Sequence, residues 1–386
     1  MTAALADARA RVLLVRDMPE QRLRSMERLA DGVERAFAEH PVYAVAPFAL
    51  HASPAARLRP LARLDSYATR FLRYPLAARA RPADVYHVID HGYAHAAALL
   101  PPARAVVSCH DLMLLKAAAG EAGFQPGRLS LARFRWTTGF LRRAARIVCP
   151  TEATKRDVVR FLRITPERID VVPYGVEPSF RPLASALRDD VRRRLVGEAH
   201  MVLQVSTGDP YKNTEGALRA FAALLRAGVD ARLVRAGAPL TPPQHRLARA
   251  LGVGAAVVDC GSVPEPALVE LYNAADVLLF PSHAEGFGWP PLEAMACGTP
   301  VVASDAAALV EACDGAALHA PASDDDALAR QLRRVLEDVA LADTLRMRGF
   351  AHAGRFTWKR TADGFARAWD VVLAAAGAKE VAPCAA

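Results

Sequence analysis

The chain has 386 residues, of which 52% are hydrophobic and 23% charged. That length exceeds one ordinary core, and the balance fits a soluble globular protein with two domains rather than a disordered or fibrous one. No apolar run reaches the roughly 18–20 residues of a membrane span, and "MTAALADARARVLLVRD" lacks the charged-then-apolar layout of a secretion signal. The six cysteines, Cys109, Cys149, Cys260, Cys297, Cys313 and Cys384, form no C-x-x-C, so a reduced, cytoplasmic chain is expected. The net charge of +8 is unevenly placed. Residues 1–180 hold 27 Lys and Arg against 17 Asp and Glu, and the rest hold 22 against 24. A basic first half points to an anionic partner, such as a phosphorylated acceptor or the inner face of the cell membrane, unless arginine serves only as a helix-surface residue. No aromatic-basic stripe of a nucleic-acid module is present.

Taken in chain order, short apolar runs alternate with helical patterns. The expected strands of the first half are "RVLLV" (11–15), "VYAVAP" (42–47), "DVYHVI" (84–89), "RAVVSC" (104–109), "RIVCP" (146–150) and "IDVVP" (169–173). In "RSMERLADGVERAFAEH" the residues Met26, Leu29, Ala30, Val33 and Phe37 recur on one helical face. The stretch "PYGVEPSFRPLASA" (173–186) breaks the rhythm and reads as a linker. Alternation then restarts with "MVLQVS" (201–206), "ARLVRAG" (231–237), "AAVVDCG" (255–261), "DVLLFPS" (276–282), "PVVAS" (300–304) and "GAALHA" (315–320). Continuous apolar strands separated by helices imply parallel sheets covered on both faces. The reading is two α/β doubly wound units, in which ligands bind at strand carboxyl ends. The tail "AAAGAKEVAPCAA" is expected to fray.

The stretch "SHAEGFGWPPLEAMACGTPVVASD" (282–305) begins at such a carboxyl end. "WPPLEAMACG" reads as a helix, with prolines in its first turn and Gly298 at its end. The amides of Gly286, Phe287 and Gly288 then lie near a helix N-terminus, which attracts phosphate or sugar oxygens. Glu285 in the loop and Glu293 on the helix can serve one pocket, since carboxylates accept paired hydroxyl hydrogen bonds. The plainer alternative is a helix-dipole glutamate beside a solvated loop charge. Rival motifs fail. "GFGWPP" lacks the third glycine of a dinucleotide loop, and "GDPYKNT" is too short for a phosphate loop. His87, His91 and His95 recur every four residues, but Gly92 intervenes and His87 belongs to a strand, so no metal site is expected. "SDDDALARQL" (323–332) reads as a capped helix start.

The 282–305 stretch resembles the E-x7-E signature of family 4 of the retaining glycosyltransferases, here Glu285 to Glu293. "VSTGDPYKNTEGALRAFAAL" (205–224) resembles that family's lysine-bearing loop. "GSVPEPALVELYNAADVLLFPS" (261–282) resembles the lead-in to the signature, and "VVSCHDLMLLK" (106–116) its first-domain His-Asp. The resemblance implies the GT-B fold: Rossmann-like domains at 1–182 and 183–357 facing a central cleft, and a C-terminal helix at 358–376 crossing back to the first domain. It implies a nucleotide-sugar donor. Lys212 would meet its pyrophosphate, Glu293 the ribose, and Glu285 with Gly286, Phe287 and Gly288 the transferred sugar. Gly261, Ser262 and Val263 would lie at the base, and Ser206, Thr207, Gly208, Tyr211 and Leu292 would complete the donor site. His110 would reach the donor sugar from the first domain. Arg22, Arg24 and Asp111 would border the acceptor.

Two departures stand out. Tyr211 occupies the position where the family often has arginine, with Ser206 replacing a glycine, and the first loop reads "VRDMPEQRLRSMERL", with Arg16, Arg22 and Arg24, where a Gly-Gly is frequent. The implied activity is transfer of a hexose or deoxyhexose from a UDP- or GDP-linked sugar, such as GDP-mannose, to a glycan or lipid-linked hydroxyl, with no cofactor and no metal. The alternatives are a nucleotide-sugar epimerase on the same fold and a non-catalytic membrane-associated scaffold.

Overall fold

The computed structural model describes residues 9–21, 24–51 and 65–380. Two compact units divide the chain. One comprises Met1–Leu115, Pro126–Gly175 and Thr357–Ala386, the other Lys116–Gln125 and Val176–Phe356. The first boundary after the amino-terminal half lies between Gly175 and Val176, inside the proline-containing stretch.

The first unit holds one parallel sheet of β1 (Ala10–Val15), β2 (Tyr43–Phe48), β3 (Val85–Val88), β4 (Ala105–Ser108), β5 (Arg146–Cys149) and β6 (Ile169–Val171), in the order β2-β1-β3-β4-β5-β6. Every residue of β3 and β4 is buried, as a sheet with helices on both faces requires. Its helices include α1 (Arg24–Phe37), α2 (Tyr74–Arg79), α3 (Arg128–Gly139) and α4 (Glu152–Leu162). The C-terminal helix, Trp358–Glu380, belongs to this unit, and six residues follow it outside the described part. Its Trp369 is fully buried against Phe37 and Tyr43, and its indole N–H donates to His87 Nδ1 at 3.2 Å. The Trp358 ring lies where a Cβ on Gly32 of α1 would stand, at 2.5 Å, so only glycine lets that approach happen.

The second unit repeats the plan with β7 (His200–Ser206), β8 (Ala231–Gly237), β9 (Val257–Asp259), β10 (Val277–Phe280), β11 (Val301–Ser304) and β12 (Leu318–Ala320), in the order β12-β11-β10-β7-β8-β9. All pairings in both sheets are parallel. The strand order reverses between β1 and β3 in the first sheet and between β7 and β10 in the second. Such reversal points open a crevice at the carboxyl ends of the two strands, where α/β proteins bind ligands. Helices α5 (Thr214–Arg226), α6 (Glu265–Ala274) and α7 (Trp289–Cys297) stand around that position in the second unit. No described helix is long and apolar enough to cross a membrane.

Candidate active site

The two strands at the reversal point of the second sheet deliver a cation and an anion. Beyond β7, "TGDPYK" makes a tight turn and a short 3-10 helix (Pro210–Lys212). Gly208 holds φ +82°, its amide donates to Ser206 Oγ at 3.1 Å, and Thr207 Oγ1 donates to Asp209 at 2.6 Å. Asn213, at φ +54°, caps α5 and donates to the carbonyls of Pro281 and Ala322. The lysine loop is thereby tied to the end of β10. Lys212 Nζ donates to Glu285 Oε1 at 2.7 Å, with side chains 13% and 9% exposed. At that degree of enclosure the attraction is screened far less than on an open surface, and losing either partner strands the other. The ammonium also lies 5.1 Å from the Tyr211 ring and 5.3 Å from the Phe280 ring. Where the family often has a second cation, this chain offers an aromatic face to the first.

The glycine loop forms as its residue types dictate. Gly288 caps α7 at φ +109°, with Pro290 and Pro291 in the first turn and Gly298 closing the helix at φ +86°. A Cβ on Gly288 would stand 2.7 Å from Leu309, so both its backbone angle and its surroundings demand glycine. Phe287 is buried edge-on to Trp289 and Phe356. Glu293 is 2% exposed, and Tyr272 of α6 donates to its Oε2 at 2.8 Å. The carboxylate therefore has a fixed orientation inside the unit. Leu292 beside it is fully buried. Gly261 takes φ +62° with open space where a Cβ would be, its carbonyl accepts from Gly237, and Ser262 is exposed while Val263 is half-buried. Sequence reasoning missed Phe124 and His283. Residues 116–125 come from the amino-terminal half yet belong to this unit, with the Phe124 ring 6.4 Å from Tyr211 and Gly123 packed on His283. No local pattern marks that excursion.

At the reversal point of the first sheet, parallel register sets Asp17 level with Asp90, two residues past the paired Val15 and Val88. Both are buried. Burial, and then the Asp90 charge, push the Asp17 carboxyl up to about 9, so it is protonated at neutral pH. His110 follows β4. Its Nε2 donates to the Ile89 carbonyl at 2.7 Å, and its Nδ1 meets the Tyr174 hydroxyl at 2.6 Å. Both ring nitrogens are engaged, and burial brings its pKa down to about 4, so it is neutral. Asp90, His91 and His110 stand close enough for a metal ion. With one nitrogen of His110 protonated toward a carbonyl and the other on a tyrosine, that ring has no lone pair to give, and we assign no metal there. His87, His91 and His95 do not converge: His87 bonds Ser108 and Trp369, and His95 bonds the Arg70 carbonyl.

The arginines of the first loop separate. Arg16 is clamped by Glu34 and Asp31 of α1, both at 2.7 Å. Arg24 is exposed at the start of α1, and Arg22 lies outside the described residues. Asp111 accepts from the Met113 amide at 2.9 Å, holding the turn after β4. Among the described residues the five cysteines form no disulfide.

Comparison with known proteins follows this division. The family model for glycosyl transferases group 1 matches residues 188–351, and that for glycosyltransferase family 4 matches residues 3–180. A D-inositol 3-phosphate glycosyltransferase of Acidothermus cellulolyticus is 37% identical over 274 residues, 67% of this chain and 60% of that protein. The chain thus spans less than two thirds of that relative. Among solved structures, sucrose-phosphate synthase of Thermosynechococcus elongatus matches with a TM-score of 0.75 and 20% identity, covering 95% of this chain and 100% of that one. Anabaena HepE in complex with UDP and glucose matches at 0.72 and 16%, covering 94% and 99%. At those identities the likeness speaks for the fold, two Rossmann-like units of the GT-B type. With both halves matched in turn, the chain belongs to family 4 of the glycosyltransferases.

Proposed function

We propose that this chain transfers a hexose or deoxyhexose from a UDP- or GDP-linked sugar to a hydroxyl of a glycan or lipid-linked acceptor, with retention at the anomeric carbon. One observation carries the reading: the partly enclosed Lys212–Glu285 pair at the reversal point of the second sheet, beside the glycine-capped start of α7. A diphosphate entering there competes with Glu285 for the ammonium, which has three N–H donors and spends one on that carboxylate. The released Glu285 and the loop amides then face the sugar, while Glu293, oriented by Tyr272, serves the ribose. The bond from the anomeric carbon to the diphosphate oxygen breaks as the acceptor oxygen bonds on the same face. The acceptor proton passes to the leaving phosphate. Lys212 stabilises the charge that develops there. The nucleotide sugar is a substrate in this reading, and no further cofactor takes part. Relatives named for inositol phosphate, and a structural neighbour holding UDP and glucose, support a nucleotide donor and a phosphorylated acceptor. The basic first half brings the chain to an anionic membrane face.

A thermal-shift series with UDP, GDP and other nucleoside diphosphates tests the donor, since a ligand at a hundred times its Kd raises stability by about 2.7 kcal/mol. No shift with any nucleotide sinks the reading. An isomerised sugar from donor alone would identify an epimerase instead.

A further inference from the structure

We infer that one face of the first unit, built from the segment around α2 and from α3, is the surface by which this protein lies on an anionic bilayer. The inference rests on the reading above that an anionic membrane is a partner, and it assigns that contact to named side chains.

Residues 65–81 and 128–143 hold nine arginines against the single Asp65, a net of +8. This equals the formal charge of the whole chain, because the remaining residues balance at 40 basic and 40 acidic. The excess charge of the molecule thus sits in two short segments. Eight of the nine arginines are exposed; Arg70 turns inward to the Gly92 carbonyl. The segments touch each other. Arg133 of α3 donates to the Tyr67 hydroxyl at 3.1 Å, and the Trp136 ring stands edge-on to Phe71 at 5.6 Å.

The same two segments expose apolar side chains that a water-facing surface does not need. Tyr67, Leu72, Leu76, Leu129 and Trp136 are five of the twelve large hydrophobics exposed among the described residues. Leu129 is 88% exposed, Leu72 65% and Trp136 51%. Leu129 and Trp136, seven apart on α3, share one helical face, and Arg128 and Arg135 share its flank. Leu72 and Leu76 stand one turn apart, Leu72 within the π-helical turn Thr69–Arg73 and Leu76 on α2. Exposed leucine and tryptophan flanked by arginine is the composition of a helix lying in a membrane interface. There the apolar face enters the headgroup boundary, and the arginines are held by anionic lipid headgroups. A second copy of this chain is disfavoured as the occupant, because a two-fold contact would set eight exposed arginines against eight. A nucleic acid would use the rings but gains nothing from stacking on exposed leucines.

The test is cosedimentation of the full chain with vesicles of phosphatidylcholine and with vesicles in which phosphatidylglycerol replaces part of it. Wild type is expected to pellet with the anionic vesicles alone, to be released by salt, and to show a blue shift in tryptophan fluorescence that Trp136→Phe removes. Arg128→Gln with Arg135→Gln is expected to weaken binding about tenfold or more. Leu129→Ser with Trp136→Ser should weaken it similarly, and all four sites are exposed, so circular dichroism should stay unchanged. Wild type that ignores anionic vesicles overturns both this assignment and the membrane reading. Wild type that binds while both double variants bind equally well overturns the assignment alone. A dimer in solution that the serine variant abolishes, or single-stranded RNA that competes with vesicles, also overturns it.

Discussion

In the first sheet, Asp17 and Asp90 follow the two strands between which the order reverses; in the second, Lys212 and Glu285 do. The topology is shared and the chemistry is opposite. Like carboxyls held side by side cannot both ionise, so one keeps a proton and the pair sheds charge. Opposite charges keep theirs, and a partly enclosed lysine then holds a charge that a phosphate can claim. The difference teaches that a strand-end crevice is only a location. The side chains that register and loop length bring to it decide whether it holds an ion pair or a carboxyl pair in which only one member is charged.

The comparison can be broken most sharply at Lys212. With donor saturating, Lys212→Ala is expected to lower turnover by roughly 10²–10³, the scale of one lost transition-state donor. It should also lose about 1–3 kcal/mol of stability by stranding Glu285. Lys212→Met combined with Glu285→Gln should recover stability without turnover. An active Lys212→Ala enzyme would remove the charged site from the second sheet.

Next in size is Gly288→Ala. Its φ of +109° and the 2.7 Å approach to Leu309 predict a loss of about 2–3 kcal/mol in chemical denaturation. A neutral result would mean that the loop is not pinned as described.

The first sheet is sharpened by pH. Asp17 has its pKa raised from 3.8 to about 9 on folding, so the native state holds a proton that the unfolded state releases. Its contribution is full below 3.8 and is lost as pH rises through about 9. Asp17→Asn should therefore gain on wild type as pH rises, by on the order of 1–3 kcal/mol at the alkaline end. His87 works in the other direction. Burial brings it from 6.5 to about 3, so its stability contribution is present above 6.5 and lost as pH falls toward about 3. Melting curves across that window should show a falling acid limb, and a flat profile would mean that folding leaves the imidazole's pKa unshifted. Smallest is Tyr211→Ala, expected to weaken donor binding by about 0.5–1 kcal/mol through loss of the ring beside the ammonium.

Much of this was legible in the amino-acid sequence. All twelve strands lie where apolar β-branched runs place them, and the start and end of α7 follow from Pro290, Pro291 and Gly298. These are local consequences of backbone preference and burial. The E-x7-E spacing and the lysine loop carried the resemblance that set Lys212 beside Glu285, and the fold pairs those two side chains. Other features depend on pairings between distant residues, and no window of sequence contains them. His110 was singled out as a strand-end ligand, but only the fold shows Ile89 and Tyr174 occupying both its nitrogens. Glu293 needed Tyr272, and the strand-end Asp17 needed Asp90 from 73 residues along the chain and one strand away. The basic bias of the first half was countable, yet its concentration beside exposed leucines became visible only when α3 met Tyr67 and Phe71. Composition and periodicity determined the elements because both act over a few residues, and short motifs carried the resemblance to the family. Which charges survive, which cancel and which face water was decided by tertiary contact, since the dielectric around a side chain is set by whatever the fold packs against it.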